Sequence, residues 1–228
     1  MLDENPVLTI NRNFNRPGAD AIAAFEDIPT GFVVDCMEGK GAIDYRIKPL
    51  LPEKTKFAGV ALTCDCGPGD NLALAAGLTL VQPGDVLLAA TENYLLTAVA
   101  GDLVIGMAKN SGAVAFVTDG LARDIEGIRD VGLPTFARGL TPNSPDRSGP
   151  GRVGLAMLLG GVNVSSGDIV VGDEDGVVIV PHNRIADVLS RLPAVKASEV
   201  EMTQKVKDGQ KVPGYLEPIL RNKTLEIS

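Results

Sequence analysis

GDLVIGMAKNSGAVAFVTDGLARDIEGIRDVGLPTFARG, residues Gly101–Gly139, alternates helical and strand patterning within one short span. Asp102 and Gly112 bracket a helical segment, Ala113–Thr118 is an apolar strand, IEGIRDVG reads as a short helix and Pro134–Ala137 as a further strand. Alternation of this kind builds an α/β layer. Arg123 and Asp124 stand side by side in its middle, just after the apolar strand and a turn. A cation beside a carboxylate at a strand end is the pairing that a metal-assisted site for a small anionic substrate needs.

Working outward, Gln82-Pro83-Gly84-Asp85 is a turn that feeds VLLAA, a continuously apolar strand of the kind covered on both faces. FAGVALTC (57–64) is another strand, closed by the turn Gly67-Pro68-Gly69-Asp70, and Leu72–Thr79 returns to helical spacing. Ser166-Gly167-Asp168 leads into IVVGDEDGVVIVP, two β-branched runs joined across Gly172–Gly176, a hairpin with Asp-Gly turn chemistry. Its opening, SGDIVVGD, echoes PGDVLLAA at 83–90 and predicts one turn-strand device used twice. From Asn183 a helix runs through IADVLSRL, meets Pro193 and resumes to Lys207. Residues 1–20 are polar, with Asn-rich and Pro-Gly segments, and read as an arm that orders only against the body or a neighbouring subunit. Short helices are expected at Ala21–Phe25 and from Gly31 to Met37.

The chain has 228 residues, 45% of them hydrophobic, enough for one domain with a full core. A net charge of -8 gives no basic footprint and argues against nucleic acid as a partner. An acidic protein that handles an acidic substrate must concentrate positive charge locally, which directs attention to individual arginines. The N-terminus lacks the basic-then-apolar order of a signal peptide, and no apolar run reaches the roughly 18 residues that span a bilayer. A soluble, cytoplasmic, reduced protein is therefore expected. Cys36, Cys64 and Cys66 read as buried free thiols, the last two on one face of a strand.

Asp102 reads as the N-cap of the helix LVIGMAKNSG, with the backbone N–H groups near Leu103 and Val104 free to meet a carboxylate; an ordinary cap is the competing reading. Arg123 reads equally as a surface arginine paired with Asp124 or Glu126, and Asp124 as the cap of the helix that follows. If the strands before them are sequential and parallel, the helix start and the Arg-Asp pair share adjacent strand ends, where ligands gather in α/β sheets. The single histidine, His182, lies between a strand and a helix as a capping or surface residue, so no Ser-His-Asp or Cys-His set is available. Lys109, near a helix C-terminus, suits the helix dipole better than Schiff-base chemistry. GPGDN and SGPGRVG match neither the dinucleotide fingerprint nor the P-loop.

The same 101–139 run, together with PGDN at 68–71, QPGDVLLA at 82–89 and SGDIVVGDEDGVVIVP at 166–181, resembles the RraA-like family over roughly residues 30–205. That family includes the class II 4-hydroxy-4-methyl-2-oxoglutarate/4-carboxy-4-hydroxy-2-oxoadipate aldolases, and its members are often labelled dimethylmenaquinone methyltransferases, a label that the missing cofactor fingerprint gives no reason to accept. The resemblance implies an α/β, layered β/β/α swivelling-type domain at residues 30–182, preceded by an N-terminal arm at 1–29. It is followed by a C-terminal helical extension at 183–228 that packs on a neighbouring subunit of a trimer or hexamer.

It also implies a site. Asp124 ligates Mg2+ or Mn2+, Arg123 contacts the pyruvyl oxygens, and the helix start Gly101–Val104 binds the pyruvate carboxylate through backbone amides. Asp102 orients a water of the ion, and an acidic residue comes from the neighbour's C-terminal helix, Glu199 or in reserve Glu201. The implied reaction is retro-aldol cleavage of a 4-hydroxy-2-oxo acid to pyruvate and a second oxo acid, with oxaloacetate decarboxylation as a companion. The competing implication is a protein-binding regulator of ribonuclease E; members of that kind depart from the Arg-Asp pattern at the aspartate, which this chain keeps. A lyase acting on another oxo acid is the third reading. Tyr94 and Asn93 are candidates for a distal pocket wall, and Arg138, Arg147 and Arg152 for a second substrate carboxylate, with packing and solvation as their ordinary roles.

Overall fold

The computed structural model describes residues 6–224; the expectations for residues 1–5 of the arm and 225–228 of the extension lie outside them. The elements in chain order are β1 (Leu8–Ile10), α1 (Ala19–Ala23), α2 (Thr30–Cys36), β2 (Lys48–Pro49), β3 (Phe57–Asp65), α3 (Leu72–Gly77), β4 (Asp85–Ala90), β5 (Ala98–Ala100), α4 (Asp102–Asn110), β6 (Ala115–Thr118), β7 (Leu121–Ala122), α5 (Ile125–Val131), β8 (Thr135–Ala137), β9 (Gly151–Val153), β10 (Met157–Leu159), β11 (Val162–Val164), β12 (Ile169–Gly172), β13 (Val177–Val180), α6 (Ile185–Lys207) and α7 (Leu216–Lys223).

The main sheet runs β1-β9-β3-β4-β6-β8-β2, with β12 and β13 attached through β3. Its central members β3, β4, β6 and β8 are parallel neighbours. Every residue of β4 is buried because both faces are covered, as the unbroken apolar run requires. Leu87 and Ala89 face α3, α4 and α5 together with Leu62, Phe116 and Ile128. Val86 and Leu88 face the opposite way, toward β10, β11 and the β12–β13 hairpin, with Val117, Phe136, Leu159 and Ile179. The outer side of that hairpin is covered in turn by α1, α2 and the first half of α6, through Phe25, Val33, Val178, Val188 and Leu192. The result is the layered β/β/α arrangement, with Cys64 of β3 and Cys66 just after it in one core cluster and all three thiols buried.

The echo between PGDV and SGDI is a structural repeat. In each, the aspartate N–H donates to the carbonyl three residues back, Asp85 to Gln82 and Asp168 to Ser165, both at 3.1 Å. Each aspartate carboxylate then accepts the N–H of that same residue, at 2.9 Å from Gln82 and 2.8 Å from Ser165. Gly84 and Gly167 supply the positive φ that such turns need at their third position.

One expectation is corrected. Pro193 does not divide the C-terminal helix: α6 is continuous from Ile185 to Lys207 with the proline inside it. The first half of α6 packs on α2 of its own chain, with Arg191 bonded to Glu38 at 3.0 Å. The arm orders against the body: β1 lies parallel to β9, pairing Leu8 with Gly151 and Ile10 with Val153. Among the described residues no helix is long and apolar enough to cross a membrane.

Candidate active site

Two short strands carry the site. β5 follows the loop from the carboxyl end of β4, and β7 follows the turn from the end of β6. They pair in parallel, Ala98 with Leu121 and Ala100 with Ala122, and the Arg123 N–H extends the ladder to the Ala100 carbonyl at 3.0 Å. The segments that follow them, Gly101–Val104 and Arg123–Asp124, are thereby placed side by side at the carboxyl ends of neighbouring parallel strands, where an α/β sheet gathers ligands.

Arg123 and Asp124 lie across the backbone of Gly101. A β-carbon on Gly101 would stand 2.6 Å from Asp124 Oδ2 and 3.2 Å from Arg123 Nε, so any side chain there would displace the pair. Arg123 Nε contacts Asp124 Oδ2 at 3.1 Å, and its Nη1 donates to Ser144 Oγ at 2.5 Å. Both members of the pair remain partly open to solvent. With Ile125, Leu140, Thr141 and Pro142 they line a depression of about 270 Å³.

Asp124 occupies the N-cap position of α5, yet its carboxylate makes no capping hydrogen bond. Its backbone is left-handed, φ 60° and ψ 51°, a conformation that costs a non-glycine residue about 1 kcal/mol. The ordinary reading of Asp124 as a side-chain cap is thus set aside: the strain turns the carboxylate toward Arg123 and Gly101.

Asp102 is displaced by one position from its expected place. The chain enters α4 from β5 through an extended Gly101, which becomes the N-cap, so Asp102 is the first helical residue. Its Oδ1 accepts the Leu103 N–H at 2.7 Å, and the side chain rests on Gly127 of α5, where a β-carbon would stand 2.3 Å from Oδ2 and 2.6 Å from the Asp102 Cβ. Exposed apolar side chains surround the site. Leu103 and Met107 lie one turn apart on α4, Leu140 lies in the depression, and Leu95 and Leu96 belong to a segment tied to Asn143 through the Leu96 carbonyl at 2.8 Å.

Other candidates are placed elsewhere. Glu199 is on the exposed outer half of α6, and among the described residues no hydrogen bond or ion pair joins it to Arg123 or Asp124. Glu201 pairs with Lys205 at 2.6 Å. Lys109 closes the carbonyl end of α5 through Val131, and the His182 ring meets the Gly167 carbonyl at 3.0 Å. Arg138 is no surface residue: its side chain is 8% exposed and bonds Asp44 at 2.5 Å. Arg152 pairs with Asp65, whereas Arg147 is exposed near the site loop. Tyr94 packs on Gly69, and the Asn93 N–H joins the Thr91 N–H on the buried carboxylate of Asp119, whose pKa burial pushes up.

Ser144 and Gly127 were missed from the sequence. A glycine inside IEGIRD, unfavourable in a helix by about 1 kcal/mol relative to alanine, is the signal that marks a close approach; NSPD carries no comparable signal for Ser144.

The family model described as "RraA-like: Aldolase/RraA" matches residues 30–179. A Halalkalibacterium halodurans protein named "Putative 4-hydroxy-4-methyl-2-oxoglutarate aldolase" is 34% identical over 202 residues, covering 88% of this chain and 96% of the relative. Streptomyces coelicolor RraAS2, titled an unusual member of the RNase ES inhibitor RraA protein family, superposes with a TM-score of 0.73 at 25% identity, over 84% of this chain and all of its own. The RNA-processing inhibitor RraA from Thermus thermophilis superposes with a TM-score of 0.62 at 27% identity, over 68% of this chain and 93% of its own. Matched across more than half its length by the family model and along nearly all of it by a relative, this chain belongs to the RraA-like family.

Proposed function

We propose that the protein is a class II pyruvate aldolase, a carbon-carbon lyase that cleaves a 4-hydroxy-2-oxo acid such as 4-hydroxy-4-methyl-2-oxoglutarate into pyruvate and a second oxo acid. The observation that carries the reading is the Arg123–Asp124 pair laid over Gly101 at the start of α4, with Asp124 held in a strained backbone that gives it no capping work. The name of the Halalkalibacterium relative supports the same activity.

The donor set fits a hard divalent cation. Mg2+ and Mn2+ take oxygen ligands, and Mg2+ characteristically keeps several waters beside one or two carboxylates. Asp124 offers one partly exposed carboxylate at the depression, and among the described residues no cluster of three His, Cys, Asp or Glu side chains offers a closed cage instead. When bound by Asp124 and the substrate, such an ion supplies Lewis-acid stabilisation of the enolate charge.

The chain's own groups account for the rest. Val104 and Leu103 N–H at the positive end of α4 bind the C1 carboxylate, Leu103 exchanging its present bond to Asp102 Oδ1 for the substrate. The planar guanidinium of Arg123, held by Ser144, faces the C2 oxygen and stabilises the negative charge that arrives there as the C3–C4 bond breaks. Asp102 stands behind the helix start as the acceptor, through a water, for the C4 hydroxyl proton. Loss of CO2 from oxaloacetate generates the same enolate, so decarboxylation accompanies cleavage.

The exposed Leu95, Leu96, Leu103, Met107 and Leu140 beside the site support assembly into a trimer or hexamer, with the outer half of a neighbour's α6 bringing Glu199 to it. In this reading residues 30–182 are the catalytic body, flanked by the arm at 1–29 and the extension at 183–228. The structural likeness to RraA proteins supports a second reading, a protein-binding regulator. Pyruvate release from 4-hydroxy-4-methyl-2-oxoglutarate and from oxaloacetate, coupled to lactate dehydrogenase with Mg2+ or Mn2+ and again with EDTA, decides between them. Metal-dependent release stopped by EDTA is expected; no pyruvate with either metal overturns the aldolase.

A further inference from the structure

The N-terminal arm lies outside the family match, which begins at residue 30, yet it is built into the body with unusual closeness. Its backbone runs through notches that only glycine leaves open. A β-carbon on Gly149 would stand 2.6 Å from the Val7 carbonyl oxygen, and one on Gly154 or Gly167 would stand 2.0 Å from the carbonyl oxygen of Asn11 or Asn15. The Gly151 N–H donates to the Val7 carbonyl at 2.9 Å, the Asn11 N–H to the Val153 carbonyl at 2.9 Å, and the Asn11 amide to the Gly154 carbonyl at 3.1 Å. At the far end Arg16 grips the fully buried carboxylate of Asp85 with both guanidinium nitrogens, Nη2 lying 3.0 Å from Oδ2, and stacks over the Phe14 ring at 4.7 Å.

The arm shares the holding of this strand with the body: Ala73 of α3 packs on Gly151, the Gly154 N–H donates to the Thr63 carbonyl at 2.9 Å, and Arg152 pairs with Asp65. β9 pairs with β3 at two positions, Cys64 with Val153 and Asp65 with Arg152, and with β1 at three. Directly before β9 comes the loop that delivers Ser144 Oγ to Arg123. The start of that loop is tied to β5, the Ala98 N–H donating to the Asn143 carbonyl at 3.0 Å. Its end is tied by Asp70, whose carboxylate accepts the N–H groups of Ser148 and Gly149 at 2.6 and 3.0 Å, and by the arm.

We infer that the arm is a positioning strap for the site: Arg16, anchored on Asp85, holds β1 against β9 and so fixes the loop that presents Ser144 to the Arg123 guanidinium. The inference rests on the catalytic reading of Arg123 for its functional consequence, while its structural content stands apart from it. Arg16 and Asp85 sit at the amino end of β4 and the site lies beyond the carboxyl ends, so a change at Arg16 has two routes to Arg123, the strap with its loop and β4 itself, and exchange in the 140–150 loop reads the first.

The test is a double-mutant cycle with oxaloacetate as substrate and Mg2+ as metal, together with amide hydrogen exchange on each full-length protein. Arg16→Ala is expected to speed exchange at Asp146, Ser148 and Gly149 and to lower kcat more than it raises KM. Ser144→Ala should have the same kinetic sign, and the two changes should be non-additive by about fivefold or more, because both loosen one guanidinium. Arg16→Lys should restore part of the exchange protection. Additive kinetic effects, or unchanged exchange in the 140–150 loop of Arg16→Ala, overturn the strap. If Arg16→Ala does not fold, Asn11→Ala removes one arm-to-β9 bond and is read by the same exchange at Ser148 and Gly149. Should the wild-type protein release no pyruvate, the aldolase reading has failed, and the exchange result alone still decides whether the arm holds the loop.

Discussion

Asp102 rests directly on the backbone of Gly127, so the first turns of α4 and α5 meet through a single side chain. The contact is tight at the Asp102 Cβ as well as at the carboxylate, so rotating the side chain does not make room. Gly127→Ala must therefore push the helices apart. It is expected to destabilise the fold by about 1–3 kcal/mol, the usual cost of overpacking, and to lower kcat/KM with it; urea unfolding beside the pyruvate assay checks both. Unchanged stability and turnover would mean that the two helices do not need this approach.

Variants at Asp124 should separate turnover from folding. Asp124→Gly removes about 1 kcal/mol of left-handed strain and forfeits no cap bond, so stability should hold or rise while metal-dependent turnover disappears. Asp124→Ala should abolish turnover equally but retain the strain, and so unfold at lower urea than the glycine variant. Thermal or urea midpoints of the two proteins measured side by side decide; turnover at the wild-type rate in either sinks the site assignment.

Arg123→Lys should lose most activity although the charge is kept. Its Nε and Nη1 reach Asp124 and Ser144 in different directions, which a planar fork can do and an ammonium on a flexible stem cannot. Steady-state kinetics with oxaloacetate would register the loss chiefly in kcat, since the charge on the enolate develops in the transition state.

Asp44 gives the fold an acid-sensitive joint. Hydrogen bonding from Arg46, followed by the charges of Arg138 and Arg46, holds its carboxyl well below the usual 3.8. A depressed folded-state value contributes stability that is complete above the unfolded value and is lost as pH falls below it. Urea midpoints followed downward from pH 5 should therefore drop more steeply in the wild type than in Asp44→Asn; equal slopes would show that the joint carries no linkage.

The thiols should be inert in the native state. Burial pushes Cys66 up to about 12 and raises Cys64 and Cys36, so little thiolate exists at neutral pH and none of the three sulfurs is accessible. Iodoacetamide at pH 8 should leave all three unmodified by mass spectrometry until urea is added, and rapid native labelling would contradict the burial of the labelled thiol.

Much of the fold was legible because its signals are local. VLLAA reads as a doubly covered strand from its composition, and PGDV and SGDI carry their turn geometry within four residues. The Arg123–Asp124 pair was visible for the same reason, as adjacent residues after a strand. What escaped depends on distant partners. Nothing in NSPD announces that Ser144 meets a guanidinium 21 residues away, and Arg138 looked solvated because its partner Asp44 lies 94 residues distant. The cap at Gly101 escaped for a subtler reason: an aspartate before a helical run favours the cap position on its own, and only the extended entry from β5 moves the helix start by one residue.

The twin turns at Asp85 and Asp168 act on the same rung of the sheet. The Gly84 carbonyl accepts the Val60 N–H at 3.1 Å and the Asp168 carbonyl accepts the Ala61 N–H at 2.8 Å, while Asp85 and Ile169 both align with Val60. β3 is thus indexed from both edges at one residue by two rigid corners of like construction. A slip of one residue would invert the faces of β4 and advance its carboxyl end by about 3.3 Å, more than the contacts at Gly101 tolerate. The two corners, at the opposite end of β4 from Gly101, work as a vernier for where its loops emerge.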